Sequence, residues 1–192
     1  VINNMKKAFT AISLFSGAGG MDVGFERAGI DIIFANELMK EAADTYRANR
    51  RQDVMMNADI NDILCSFESY CGADIVFGGP PCQGFSVAGK MDPKDERSNL
   101  IFTFLDVVEK VKPKVFVMEN VKALATLDKW THIRQNYLER AKELGYDCFP
   151  FVLNATQYGV SQKRERVFFI GLSNKYYYDK DKMQCLIEAQ KT

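Results

Sequence analysis

Ala11-Ile12-Ser13-Leu14-Phe15-Ser16-Gly17-Ala18-Gly19-Gly20 decides the fold class. The apolar run Ala11 to Phe15 reads as a buried strand, the glycines as a tight turn, and Met21 to Ala28 as a helix that Gly29 stops. Ile30 to Glu37 then reads as a second strand. A strand, a turn, a helix and a second strand make the repeating unit of a parallel sheet. Outward from this unit the alternation continues. Lys40 to Asn49 has a helical pattern, Val54 to Asp59 a short strand, and Ala73 to Phe77 a buried strand that ends at Gly78-Gly79.

Gly79 to about Arg97 is too long and too rich in Gly, Pro, Ser, Lys and Asp for a routine connection, which marks it as functional or mobile. Asn99 to Lys110 spaces Leu100, Ile101, Phe104, Leu105 and Val108 as a helix does, and Pro113 marks the turn before a strand from Val115 that ends at Glu119-Asn120. Trp130 to Leu144 is helical with Gly145 behind it, and Cys148 to Leu153 and Val167 to Gly171 read as a terminal antiparallel strand pair. The tail after Asn174 is weakly patterned. The expectation is an α/β fold, a doubly wound and mostly parallel sheet, in a single domain over residues 1–192.

Composition narrows the function. Lys plus Arg number 25 and Asp plus Glu number 25, so any anion-binding surface must be local. The hydrophobic share of 47% and charged share of 26% are those of ordinary folded domains. Five cysteines without a CxxC pair fit a reducing cytoplasmic compartment better than a disulfide framework, and no metal site is expected. No apolar stretch reaches the roughly 18 residues that span a bilayer, and residues 1–7 lack a signal-peptide core. The single histidine, His132, sits in a polar helical pattern and receives no role.

Gly17 and Gly19 stand where the first strand meets a helix, a place where backbone N–H groups can meet a ligand. On their own, they serve a plain tight turn equally well. The dinucleotide fingerprint wants a third glycine where this chain has Asp22, an acid that would repel a pyrophosphate and so favours a ligand without one. Glu37 follows Gly17 by 20 residues, the spacing at which an acid accepts ribose hydroxyls. Gly78-Gly79-Pro80-Pro81-Cys82-Gln83 holds a thiol at the carboxyl edge of a central strand, which suits an accessible nucleophile. The other cysteines, Cys65, Cys71, Cys148 and Cys185, fit a structural role better. Glu119 ends the next strand on the same edge, although a strand-end glutamate is more often merely solvated. Arg164 and Arg166 alternate onto one face of the last strand, and with Lys90, Lys94 and Arg97 could grip phosphates.

Taken together, these residues resemble one family, the DNA (cytosine-5)-methyltransferases. Phe15-Ser16-Gly17-Ala18-Gly19-Gly20 is similar to its S-adenosylmethionine loop, Gly79-Pro80-Pro81-Cys82-Gln83 to its catalytic loop, Glu119-Asn120-Val121 to its ENV motif, and Gln162-x-Arg164-x-Arg166 to its QxRxR motif. The resemblance implies a Rossmann-like methyltransferase fold, S-adenosylmethionine as cofactor and cytosine C5 in double-stranded DNA as target. It further implies Cys82, Glu119, Asn120, Arg164 and Arg166 as catalytic residues. Phe15, Gly17, Gly19, Gly20, Glu37, Asp59, Ile60, Pro80 and Leu100 would form the cofactor pocket, with Glu37 on the ribose and Asp59-Ile60 on the adenine.

Family members continue past QxRxR into a target recognition domain and two further motifs, which residues 174–192 do not supply. The expectation is therefore one subunit of a split enzyme or a truncated piece, needing a second polypeptide and leaving apolar surface uncovered near the first helix. A noncatalytic cofactor- or DNA-binding scaffold is the alternative. Asp22 and the want of a hydride-transfer set disfavour a nicotinamide-dependent dehydrogenase.

Overall fold

The computed structural model describes residues 8–81, 100–176 and 178–191. The chain runs β1 (Thr10–Leu14), α1 (Gly20–Arg27), β2 (Asp31–Glu37), α2 (Lys40–Asn49), β3 (Met55–Asn57), β4 (Ile75–Gly78), α3 (Leu100–Val111) and β5 (Val115–Val121). It continues through α4 (Ala123–Thr126), α5 (Thr131–Glu143), β6 (Tyr146–Asn154), β7 (Glu165–Ser173) and α6 (Lys180–Ala189). Short 3-10 turns at Leu64–Tyr70, Asp128–Trp130 and Ala155–Tyr158 link these elements.

The strands form one seven-stranded sheet in the order β3-β2-β1-β4-β5-β7-β6. The first five are mutually parallel, whereas β7 runs antiparallel to both β5 and β6. This is the expected doubly wound sheet with its terminal antiparallel pair. β1 is buried apart from its first residue, as an apolar run covered on both faces should be.

The period of two along each strand divides the core. Ile12, Leu14, Val76, Phe116, Met118, Val167 and Phe169 join residues of α3 and α5 in the main apolar cluster. Ala11, Ile32 and Phe77 face the other way, where Phe25 of α1 stacks on Phe77 with ring centroids 3.8 Å apart. α3 is buried nearly all round, from Ile101 to Val111, which explains why its sequence shows little polar face. Gly171 pairs with Phe116 across β7 and β5, and a side chain there would meet the Phe116 ring. β6 lies at the sheet's edge, and Pro150 in its middle, which has no N–H, is a residue that edge strands accept.

Several boundaries differ from the sequence reading. β1 stops at Leu14 because Phe15 takes a positive φ of 53° and turns the chain out of the sheet. β5 continues through Glu119 and Asn120, which pair with Phe168 and Val167, so Glu119 sits inside the ladder and not past its end. β6 and β7 are each nine residues, longer than expected, because they stabilise one another over their whole length. The weakly patterned tail contains α6, capped by the Asp179 carboxylate accepting from the Lys182 N–H at 2.9 Å. Cys65, Cys71 and Cys185 are exposed and not embedded in apolar elements. Cys148 is partly covered, and burial pushes its thiol up to about 12. Among the described residues no helix is long and apolar enough to cross a membrane. Cys82, Lys90, Lys94, Arg97 and most of the long loop lie outside the described residues.

Candidate active site

The parallel strands β1, β2, β3, β4 and β5 all end on one edge of the sheet, where open α/β folds place ligands. The turn after β1 is held by backbone hydrogen bonds. The Ser16 N–H donates to the Asn36 carbonyl at 2.9 Å, and the Gly19 N–H donates to the Ser16 carbonyl at 2.9 Å. Gly17 and Gly19 have φ of 56° and 85°, values that side chains resist, and Gly19 is the N-cap of α1.

Glu37 closes the turn from β2. One carboxylate oxygen accepts from the Gly17 N–H and the other from the Met39 N–H, each at 2.8 Å. Each oxygen keeps a second lone pair for a hydroxyl donor. Asn36 is buried, and its amide donates to the carbonyls of Met56 at 3.3 Å and Ala58 at 3.0 Å, tying β2 to β3. An asparagine inside an apolar run was the available signal for this role, and sequence reasoning passed over it.

Asp59 follows β3 and accepts from the Asn61 N–H and side-chain amide, each at 2.9 Å. Ile60 is buried in the main core, and Leu100 is half-buried against it. Pro80 is buried, and its carbonyl accepts from the Asn120 amide at 3.2 Å. The Asn120 oxygen accepts from the Val121 N–H at 2.9 Å. This side chain thus staples β5 to the segment leading to Cys82; it is fully engaged with the backbone.

Glu119 projects from β5 on the same face as Val117, and the alternation of β7 brings Arg166 and Phe168 to that face. Arg166 Nε lies 3.1 Å and Arg164 Nη2 3.5 Å from Glu119 Oε1. Burial holds the Glu119 carboxyl above the usual carboxylate range, against the pull of Arg166 and Arg164. Desolvation prevails in part because Arg164 is half-exposed and its charge is screened by water. The basic patch expected here is partly neutralised, because Arg164 and Arg166 both pair with Glu119; beside them Lys122 pairs with Glu165 at 2.8 Å.

Two cavities meet at Glu119. One, of about 470 Å³, is lined by Ser13, Leu14, Phe15, Ser16, Gly20, Met21, Asp22, Phe77, Gly78, Gly79, Glu119, Arg164 and Phe168. Its volume falls in the range of small-molecule pockets. The other, of about 320 Å³, has mostly apolar walls from Leu153, Ala155, Tyr158 and Val160, with Arg166 at its polar end, and shares Glu119, Arg164 and Phe168 with the first. Tyr158 and Val160 escaped the sequence reading because only the long-range pairing of β6 with β7 brings them to Glu119.

Asp22, in the wall of the 470 Å³ cavity, is fully buried. Its oxygens accept from Ser13 Oγ at 3.0 Å and from the Tyr46 hydroxyl at 2.9 Å. His132, on the exposed face of α5, contacts Asn136 at 3.2 Å.

An open α/β sheet with a glycine turn after β1, an acid at the tip of β2 and a partly buried Glu119–Arg166 pair flanked by Arg164 at its carboxyl edge is the layout of a nucleoside-ligand protein. Residues 9–191 match the family model of the C-5 cytosine-specific DNA methylases, and the chain belongs to that family. It is 42% identical over 161 residues to the type II methyltransferase M.FnuDI of Fusobacterium nucleatum, covering 83% of this chain and 46% of that protein. It is 41% identical over 174 residues to the type II methyltransferase M.AquIA of a Picosynechococcus strain, covering 83% of this chain and 70% of that shorter relative. The crystal structure of a candidate DNA modification methyltransferase from an E. coli prophage superposes with a TM-score of 0.75 at 31% identity, covering 91% of this chain and 50% of that one. The chain thus spans about half the length of several relatives it matches.

Proposed function

We propose that this chain is the catalytic, cofactor-binding domain of a DNA (cytosine-5)-methyltransferase. It would transfer a methyl group to C5 of a cytosine flipped out of duplex DNA, through a covalent bond between Cys82 and C6. The observation that carries the reading is Glu119 with Arg164 and Phe168, forming a wall common to both cavities. An acid in that wall can touch a base entering from one side while the other side holds a methyl donor.

The residues present fit S-adenosylmethionine. Glu37 can take the ribose hydroxyls, Phe15, Gly17, Gly19 and Gly20 form the turn against which the nucleoside would lie, and Asp59, Ile60, Pro80 and Leu100 come from loops on the same edge. Bound there, S-adenosylmethionine supplies an electrophilic methyl group on a sulfonium. A stacked base hides C6, so the target must leave the helix. The Cys82 thiolate would add to C6 and push the π electrons of the C5–C6 bond to C5, making C5 the nucleophile toward the methyl group that the cofactor would supply as its sulfonium becomes a thioether. Glu119, whose carboxyl pKa burial raises, holds N3, and Arg166 holds O2, so charge developing in the ring meets fixed partners. Arg164 supports Glu119, and Asn120 fixes the Pro80 carbonyl and with it the approach to Cys82. Loss of the C5 proton to solvent and expulsion of the thiolate restore the ring.

We further propose that activity needs chain beyond these residues, in the same or a second polypeptide. Supporting this, Phe168, Ile170 and Leu172 on the site face of β7 stay only half-buried, while Val167, Phe169, Gly171 and Ser173 on the other face are buried. The test is DNA carrying 5-fluorocytosine, which cannot lose fluorine as a cation. The protein mixed with the C-terminal half of a relative should give a denaturation-resistant adduct with cofactor present, the protein alone far less, and Cys82→Ser none. Cofactor binding without any adduct from the mixture on DNA of random sequence would favour a noncatalytic scaffold.

A further inference from the structure

Asp22 is a fully buried acid that the proposed chemistry does not use. It lies in the wall of the 470 Å³ cavity, under the turn that carries Ser16 and Gly17. Among the described residues it forms no ion pair; Arg50, the nearest cation acting on it, pairs with Glu26. Its partners are hydroxyls. Ser13 Oγ donates to one oxygen and Tyr46 to the other, and Tyr46 is itself 1% exposed with its hydroxyl committed to this bond. Burial raises the Asp22 pKa, while these two hydrogen bonds, which the ionised form accepts one on each oxygen, draw it back down. Ser16 Oγ stands 2.8 Å from Ser13 Oγ and continues the chain of hydroxyls to the turn. The paired donors favour the ionised form beneath the cavity, and no cation pairs with it among the described residues.

We propose that Asp22 makes the site discriminate by charge, favouring a cationic sulfonium ligand over its neutral thioether product. The inference rests on the cofactor reading above and deepens it. A charge buried in a cavity wall is weakly screened, so it acts on a ligand it does not touch. The consequence is product release: once the methyl group has left, the ligand no longer carries the charge that Asp22 attracts.

Calorimetry on the full chain tests this with three probes: S-adenosylmethionine, S-adenosylhomocysteine, and sinefungin, whose protonated amine stands where the sulfonium would. In Asp22→Asn the two cationic ligands should each lose on the order of tenfold in affinity relative to S-adenosylhomocysteine. If Asp22→Asn does not fold, Asp22→Leu with Ser13→Ala and Tyr46→Phe removes the charge together with its donors, stranding no polar group, and should show the same change of ratio. Equal losses for all three ligands would mean that Asp22 only supports the turn, which overturns the inference while leaving the cofactor reading intact. Wild-type protein that binds none of the three would overturn both.

Discussion

Replacing Gly19 by alanine should destabilise the protein through two separable effects. Gly19 has a φ of 85°, and a side chain in that left-handed region costs roughly 1–2 kcal/mol. The added methyl would also lie 2.8 Å from Arg50 Cδ and 3.0 Å from Tyr46 Cδ2, with Arg50 Nε closer still. Arg50 must then move. Its side chain is only 9% exposed, pairs with Glu26 and lies over the Tyr46 ring at 5.6 Å, so displacement forfeits roughly 0.5–1 kcal/mol more. Together these give about 1.5–3 kcal/mol, or on the order of 3–12 °C in Tm for a chain of this size. Gly17→Ala is the control, because its φ is 56° and nothing lies within 4 Å of the new methyl, leaving the backbone cost alone. Urea unfolding of both variants, each with and without Arg50→Ala, separates the two effects. Beside Arg50→Ala, the cost of Gly19→Ala should shrink toward that of Gly17→Ala, leaving only the 3.0 Å approach to Tyr46 Cδ2 above it. A penalty for Gly19→Ala that Arg50→Ala leaves unchanged, or one smaller than that of Gly17→Ala, would refute the geometry.

Glu37→Ala should weaken S-adenosylmethionine binding by roughly 1–3 kcal/mol, the scale of lost hydrogen bonds to a charged group, and lower Tm as well because the Gly17 and Met39 N–H groups lose their acceptor; an unchanged calorimetric affinity removes Glu37 from the pocket. For Glu119→Gln the sign follows from burial. A carboxyl whose folded pKa is raised costs stability when ionised, a cost absent below the ordinary carboxylate range and fully present above the folded value. The variant should therefore match wild type in Tm at about pH 4 and exceed it at about pH 8 while losing methyl transfer. A lower Tm at the higher pH would show that the pairs with Arg164 and Arg166 outweigh desolvation.

The β1 unit was legible because a continuous apolar run, glycines and an amphipathic helix are local signals, each read within a dozen residues. α6 was missed although Asp179 offered the capping signal, because Met183, Leu186 and Ile187 make a sparse apolar face. At the site, motif spacing placed Glu37 and Glu119 on one edge, and alternation put Arg164 and Arg166 on one face. What spacing could not supply is the partner of each group. The burial of Asp22 was not legible because its donor Tyr46 lies 24 residues away. The cavity beyond Glu119 depends on β7 inserting between β5 and β6, a long-range choice with no local mark.

The reversed direction of β7 has a consequence for redesign. Because that strand begins beside the finish of β5, its leading arginines arrive next to Glu119 without any additional loop. Inserted the other way round, nine residues at about 3.3 Å each would carry them roughly 30 Å off, to the far rim of the molecule. Circular permutants or grafts that preserve every motif but flip this one segment should accordingly be inert, however well they fold.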